Sequence, residues 1–175
     1  MLFDLTGEQA GGIWTRATGT GGILNAAAGT FTPAIGATTS TFNYTVTGTA
    51  PCINDTSVAT IIINPLPTAI ISGTTAVCLN AVSPQIILTG ANGTAPYTFV
   101  YSINTVVYPS VTTTSGNSYS INVPTAPQGT YTYALVSVQD ANTPACSQTQ
   151  MGSAVVTVNT APTINTPTQI GRAHV

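Results

Sequence analysis

The sequence predicts an all-β protein built from antiparallel β-sandwiches, and three observations lead to this prediction. First, short segments alternate between apolar and polar residues, as at residues 41–46, where Phe42, Tyr44 and Val46 share one face. Second, turn-forming residues are frequent, because the 175 residues include 16 Gly and 12 Pro. Third, one segment occurs twice, which is typical of proteins built from repeated modules.

The repeated segment consists of a cysteine, a β-strand and an exit that contains proline. Cys52 precedes the predicted strand at residues 59–64 in the first copy, and Cys146 precedes the strand at 154–159 in the second. We interpret the two copies as the ends of two tandem modules. The predicted domains are an N-terminally truncated module at residues 1–64, a complete module at 65–159 and the start of the next linker at 160–169.

The second module contains the clearer set of strands. Its alternating or apolar segments are separated by Gly, Pro and Asn turn signals at short intervals. About seven strands in a module of this length are typical of an immunoglobulin-like antiparallel β-sandwich. The candidate strands lie at residues 69–72, 77–79, 85–90, 97–101, 106–108, 118–123, 129–138 and 154–158.

The chain has very little charge. It contains two Lys or Arg residues and four Asp or Glu residues, with a formal net charge of −2. The two cations, Arg16 and Arg172, cannot form a phosphate-binding or polybasic surface, so we exclude nucleic acid as a partner. No apolar run approaches the roughly 20 residues of a membrane-spanning helix, so we predict no membrane insertion in this segment. The threonine-rich, uncharged composition favours an all-β extracellular protein.

The last six residues, 170–175, differ from the threonine-rich sequence that precedes them. This hexapeptide has the sequence that a common sequencing adapter gives when it is translated in one frame, and we interpret it as an assembly artefact. It includes His174, the one histidine of the chain. The remaining sequence has no histidine to activate a nucleophile, and we predict no enzyme, no catalytic residue and no cofactor.

The three cysteines suggest a structural disulfide. The simplest arrangement is one bridge per module, Cys78–Cys146, which stabilises by about 4 kcal/mol on the chain-entropy account. Cys52 is then unpaired, because its partner was lost with the missing part of its module. A metal site is the competing interpretation, but the spacing lacks any C-x-x-C pair and no histidine accompanies it. The bridge would imply an oxidising compartment.

Several motifs occur in one order along the chain, at residues 11–15, 41–46, 64–68, 77–80, 90–97 and 145–149. Their order resembles that of the immunoglobulin-like, PKD-like tandem repeats of large Bacteroidota cell-surface adhesins, including gliding-motility adhesins. The resemblance implies export by the type IX route, a cell-surface or extracellular location, and an adhesive or spacer role. It also implies partners, namely neighbouring repeats of the same chain and surface polysaccharide or other cells.

Two loops contain residue types that bind calcium. Asn54 and Asp55 lie in the loop before the first repeated strand, and Asp140 and Asn142 lie in the loop before the second. Calcium needs about six oxygen ligands, usually including several carboxylates. One carboxylate per loop is too few, so we favour solvated turns and predict no metal site.

The remaining candidates are acidic or aromatic. Asp4 and Glu8 could form a carboxylate pair, but we expect both to be exposed near the start of the chain. Trp14 could stack on a sugar ring, although a core position in a sandwich is favoured. Tyr131 and Tyr133 follow a glycine as in a tyrosine-corner strand, which is a structural role.

Two functional hypotheses remain from the sequence. The first is a non-enzymatic structural and adhesive repeat module of a large secreted or cell-surface protein. The second is a carbohydrate-binding or spacer module attached to a secreted hydrolase. Exposed aromatic side chains on one face would favour the second hypothesis.

Overall fold

The computed structural model describes residues 1–5 and 11–164 of the chain. Within these residues the regular structure is β-strand and no helix occurs, so the predicted all-β fold is confirmed. The chain divides into two compact units. The N-terminal unit comprises Met1–Leu66 and Asn142–Cys146, and the C-terminal unit comprises Pro67–Ala141 and the residues from Ser147 onward. That the two units are copies of one module stays a prediction.

The N-terminal unit contains two three-stranded antiparallel sheets. One sheet has the strand order β1-β4-β3, and the other has the order β2-β5-β6. The strands are β1 (Phe3–Asp4), β2 (Ile13–Thr18), β3 (Ile23–Asn25), β4 (Thr30–Thr32), β5 (Ser40–Val46) and β6 (Asp55–Ile61).

Aromatic side chains form the core of the N-terminal unit. Phe42 lies on the inward face of β5, as the alternation predicts, and its ring centroid is 4.9 Å from that of Phe31. The Arg16 guanidinium lies over the Phe31 ring at 4.9 Å and donates a hydrogen bond from Nη2 to the Gly22 carbonyl oxygen at 3.3 Å. Arg16 can occupy this inward position because its flat cation packs favourably against an aromatic face.

The C-terminal unit contains one large sheet and one three-stranded sheet. The large sheet has the order β11-β10-β14-β16-β8, with β12 paired to β10 and β15 paired to β14; the smaller has the order β13-β9-β7. The strands are β7 (Thr68–Ser72), β8 (Thr75–Cys78), β9 (Gln85–Ala91), β10 (Thr98–Ile103), β11 (Val106–Val107), β12 (Val111–Thr112), β13 (Ser118–Asn122), β14 (Gly129–Gln139), β15 (Ser147–Thr149) and β16 (Ser153–Asn159).

The two sheets of the C-terminal unit enclose one apolar core. Ile86 and Leu88 alternate on the inner face of β9, and Val156 lies on the inner face of β16; all three are fully buried. Residues on the inner faces of both sheets belong to the same cluster, which is the arrangement of a β-sandwich. Among the described strands, β8 and β16 form the one parallel pair, and the other pairings are antiparallel.

Candidate functional site

Cys78 is exposed and lies at the end of strand β8. It pairs in register with Asn159, the last residue of β16. The preceding β16 residue, Val158, pairs with Gly129 at the beginning of β14. Cys78 therefore lies at the end of the sandwich where β14 begins.

Cys146 is half-buried and ends the Asn142–Cys146 segment, which belongs to the N-terminal unit. It immediately precedes Ser147, which pairs with Gln139, the last residue of β14. Strand β14 has 11 residues, and a strand rises by about 3.3 Å per residue, so its ends are roughly 30 Å apart. A disulfide requires Cα atoms within about 7 Å. The structure does not bring Cys78 and Cys146 together, so the predicted bridge does not fit this arrangement.

Cys52 lies in the exposed loop between β5 and β6. Its backbone nitrogen donates a hydrogen bond to the Thr49 carbonyl oxygen at 2.9 Å. In the same loop, Asn54 accepts a hydrogen bond at Oδ1 from the Gly48 nitrogen at 3.0 Å. These bonds define the loop's own turns, and the interpretation of Cys52 as unpaired by truncation stays a prediction.

The calcium candidates occupy two different environments. Asp55 is exposed and its Oδ1 accepts a hydrogen bond from the Thr56 nitrogen at 3.0 Å. Asp140 is buried at 4% exposure, which corrects the prediction of a solvated turn at this position. A Cβ atom added at Gly93 would lie only 2.7 Å from Oδ2 of Asp140. Asp140 is therefore packed against the loop that contains Gly93.

No metal-binding constellation is formed by the part of the chain that the structure describes. Among residues 1–5 and 11–164, no group of three or more His, Cys, Asp or Glu residues is placed to hold a metal ion. Asp4 is exposed on β1, as expected, whereas Glu8 and residues 165–175, including the adapter-like hexapeptide, lie outside the described residues.

Trp14 belongs to the core and has no open face for a sugar ring. It is 5% exposed, and its ring centroid lies 5.0 Å from that of Tyr44. The core interpretation of Trp14 is therefore confirmed. Tyr131 also has a structural contact, because its hydroxyl donates to the Pro127 carbonyl oxygen four residues upstream at 3.1 Å.

A tyrosine-lined groove on the C-terminal unit was not predicted from the sequence. It has a volume of about 320 Å³. Tyr108 stacks on Tyr101 with ring centroids 5.8 Å apart, and Tyr101 lies 6.5 Å from Tyr133. We call this feature the tyrosine groove; it is lined by Ile103, Asn104, Val106, Tyr108, Pro124, Tyr131 and Tyr133.

The phenol groups beneath the tyrosine groove stay protonated at neutral pH. Burial raises the pKa of Tyr101, and the neighbouring phenols of Tyr119 and Tyr108 raise it further. Burial likewise raises the pKa of Tyr133, with additional contributions from other tyrosines, including Tyr101. Protonated phenols can both donate and accept hydrogen bonds. The groove therefore combines aromatic faces with neutral hydroxyl groups.

The comparisons with known proteins give no family for this chain. No family model matches it, and no curated protein matches it. Among the described residues, no helix is long and apolar enough to span a membrane.

Proposed function

We propose that this chain is a non-enzymatic structural and adhesive module of a large secreted or cell-surface protein. The supporting observation is a surface with very few charges and many exposed aliphatic side chains. Ile23, Ile53 and Val82 are 76%, 89% and 92% exposed, in a chain with only six Lys, Arg, Asp and Glu residues. A surface with so few charges repels other surfaces weakly, and its apolar groups gain free energy when they are covered.

The organisation of the chain also supports a module. Each unit has its own buried cluster, one around Phe31 and Phe42 and the other around Ile86 and Leu88. Units with separate cores can be repeated along a chain without loss of internal packing. Pro65 and Pro67 lie at the boundary between the units, where fixed φ angles limit the conformations of the connection. The extracellular location and the neighbouring repeats as partners belong to this same proposal.

The alternative proposal is a carbohydrate-binding or spacer module attached to a secreted hydrolase. The burial of Trp14 removes the aromatic side chain on which this alternative first depended. The tyrosine groove supplies different aromatic side chains, so carbohydrate binding stays compatible with either proposal.

An adhesion measurement tests the proposed function. Beads coated with the chain are expected to resist detachment by flow from octyl-modified glass and from agarose films better than beads coated with serum albumin. Replacing Ile23, Ile53 and Val82 by Lys is expected to weaken retention, because charged groups must lose hydration when the surfaces meet. The matched control replaces the same three residues by Thr, which keeps them uncharged.

The outcome separates adhesion from general stickiness. Wild-type beads that detach from both surfaces as easily as albumin beads would overturn the adhesive proposal. Equal retention of the lysine and threonine variants would contradict the role of the uncharged surface. Circular dichroism of each variant establishes that the strands are intact, since all three positions are exposed.

A further inference from the structure

We propose that the tyrosine groove of the C-terminal unit binds a neutral glycan of one or two sugar rings. This inference rests on the proposed adhesive function and names a ligand class for it. The groove lies beside the hairpin of β10 and β11. Three properties determine the ligand: an aromatic face, hydroxyl groups without protein partners, and the absence of charge.

The aromatic face is provided by Tyr108. Its side chain is 42% exposed, whereas that of Tyr101, on which it stacks, is 7% exposed. The two ring planes differ by 18°, so Tyr101 supports Tyr108 from the core side. A ring already held by a neighbour loses little conformational freedom when a ligand binds. Sugar rings have apolar C–H faces that pack against aromatic rings of this kind.

The hydroxyl groups of the groove differ in their hydrogen bonding. The Tyr131 hydroxyl donates a hydrogen bond to the Pro127 carbonyl oxygen. In the part of the chain that the structure describes, no protein group forms a hydrogen bond with the hydroxyls of Tyr108 and Tyr133, although both residues line the groove. Each phenol can donate one hydrogen bond and accept another, which matches the vicinal hydroxyls of a sugar.

The rim of the groove is held in an unusual backbone conformation. Asn104 and Thr105 connect β10 to β11 with φ angles of +47° and +71°. A β-branched residue such as Thr105 rarely adopts a positive φ, so the surrounding contacts must hold it there. Asn104 provides two of them: its nitrogen donates to the Thr132 carbonyl and its Oδ1 accepts from the Thr132 nitrogen, each at 2.9 Å. The groove is therefore formed before any ligand arrives.

The absence of charge selects among ligands. The lining residues are tyrosine, asparagine, proline and aliphatic side chains, with no Lys, Arg, His, Asp or Glu among them. A phosphate, sulfate or uronic acid group would lose hydration there without gaining a counter-charge, which disfavours anionic ligands. The volume of about 320 Å³ is at the lower end of the range for small-molecule sites, about 300–1,000 Å³. It suits a short stretch of a neutral glycan.

Titration calorimetry with cellohexaose, maltohexaose, mannohexaose and galactohexaose tests the inference. At least one of these neutral oligosaccharides is expected to bind saturably to the complete chain. Tyr108→Ala is expected to weaken that binding about tenfold or more, because it removes the stacking ring. Tyr108→Phe, which keeps the ring, is expected to lose less affinity. The matched control is Val107→Ala, since Val107 directly precedes Tyr108 and is 60% exposed but does not line the groove.

Three calorimetric results would overturn the inference: no saturable binding of any of the four glycans, equal affinity of Tyr108→Ala and wild type, or equal losses in Tyr108→Ala and Val107→Ala. Self-association that Tyr108→Ala abolishes would also overturn it, because a second copy would then occupy the groove. Retention of beads on octyl-modified glass does not involve a glycan. Bead adhesion without glycan binding would therefore reject the groove and leave the adhesive proposal standing.

Discussion

At the scale of single residues, Gly90 determines how closely the Tyr97 ring approaches the backbone of β9. A Cβ at Gly90 would lie 2.5 Å from Cγ of Tyr97, well inside van der Waals contact. The ring cannot move away easily, because Tyr97 is 1% exposed and its hydroxyl donates to the Gly93 carbonyl oxygen at 2.6 Å. The packing of Tyr97 therefore requires glycine, which has no side chain, at position 90 of β9.

Gly90→Ala is expected to lower the free energy of unfolding of the C-terminal unit by about 1–3 kcal/mol, as overpacked core substitutions do. Urea denaturation followed by tyrosine fluorescence measures the change. The control is Gly116→Ala, because Gly116 has a positive φ of +70° but no atom within 4 Å of its added Cβ. The control should lose only about 1 kcal/mol. Equal losses at the two positions would show that contact with Tyr97 is not the cause.

The tyrosines also make the free energy of unfolding of the C-terminal unit vary with pH in the alkaline range. Burial, together with neighbouring phenols, raises the pKa of Tyr101 and Tyr133 above the ordinary value of 10.0. The folded protein therefore holds these protons more tightly than the unfolded chain does. Their stabilising contribution is complete below pH 10 and is lost as the pH rises through the folded pKa values.

We expect the midpoint of urea unfolding of the C-terminal unit to fall above about pH 10. Replacing both Tyr101 and Tyr133 by Phe should make this fall shallower, because two of the titrating groups are removed. The measurement is a series of urea titrations between neutral pH and the alkaline limit of solubility. An unchanged pH dependence in the double variant would contradict the role of these two phenols.

At the scale of elements, the length of β14 separates Cys78 from Cys146. Cys78 lies beside the beginning of this strand and Cys146 follows the loop after its end. An 11-residue strand is too long for one disulfide to join its two ends. The two cysteines therefore lie next in sequence or register to opposite ends of β14.

We expect native protein prepared under oxidising conditions to contain no peptide that links Cys78 to Cys146. Proteolysis and mass spectrometry without reduction measure this directly. Exposed Cys78 should also react with iodoacetamide before denaturant is added, as should exposed Cys52, which serves as the reference. Recovery of a Cys78–Cys146 peptide from folded monomer would contradict the strand register.

The sequence predicted strands more successfully than it predicted which residues meet. Alternation identified the inward face of β5, where Phe42 and Tyr44 are buried, because the period of a strand is a local property. The predicted pairing of Cys78 with Cys146 does not fit the strand register, because linear order does not specify which end of a strand a residue lies beside. The burial of Asp140 also depends on a loop distant in sequence, around Gly93.

The tyrosine groove was missed for a related reason. Tyr101 is on β10, Tyr108 follows β11, and Tyr133 is on β14, so these side chains come together only through strand pairing. A weak local signal was present at Asn104, since Asn is common in tight turns with positive φ. That signal predicts a hairpin but gives no information about the surface next to it.

At the scale of the whole molecule, the two units have separate cores. Phe42 is fully buried in the N-terminal cluster, and Ile86 and Val156 are fully buried in the C-terminal cluster. A cavity in one cluster should therefore destabilise mainly the unit that contains it, as expected for modules with their own cores.

Phe42→Ala is expected to cost the N-terminal unit about 3–5 kcal/mol, the usual loss for a buried aromatic residue. Amide hydrogen exchange of the complete chain measures the effect in each unit. Protection should fall in β2, β5 and β6 and stay near the wild-type level in β9 and β14. Ile86→Ala provides the reciprocal control in the C-terminal unit. A uniform loss of protection in both units would contradict separate cores.

The parallel pairing of β8 with β16 has a mechanical consequence. Four register pairs, from Val156 opposite Thr75 to Asn159 opposite Cys78, join the two strands. If the C-terminal unit were stretched from its two ends, tension reaching β8 through β7 would pull β8 toward its start, while β16 would be pulled toward its end. Because the strands run in the same direction, their backbone hydrogen bonds would bear this force in shear and would have to break together. An arrangement loaded in this way resists extension more strongly than a hairpin whose bonds open one after another.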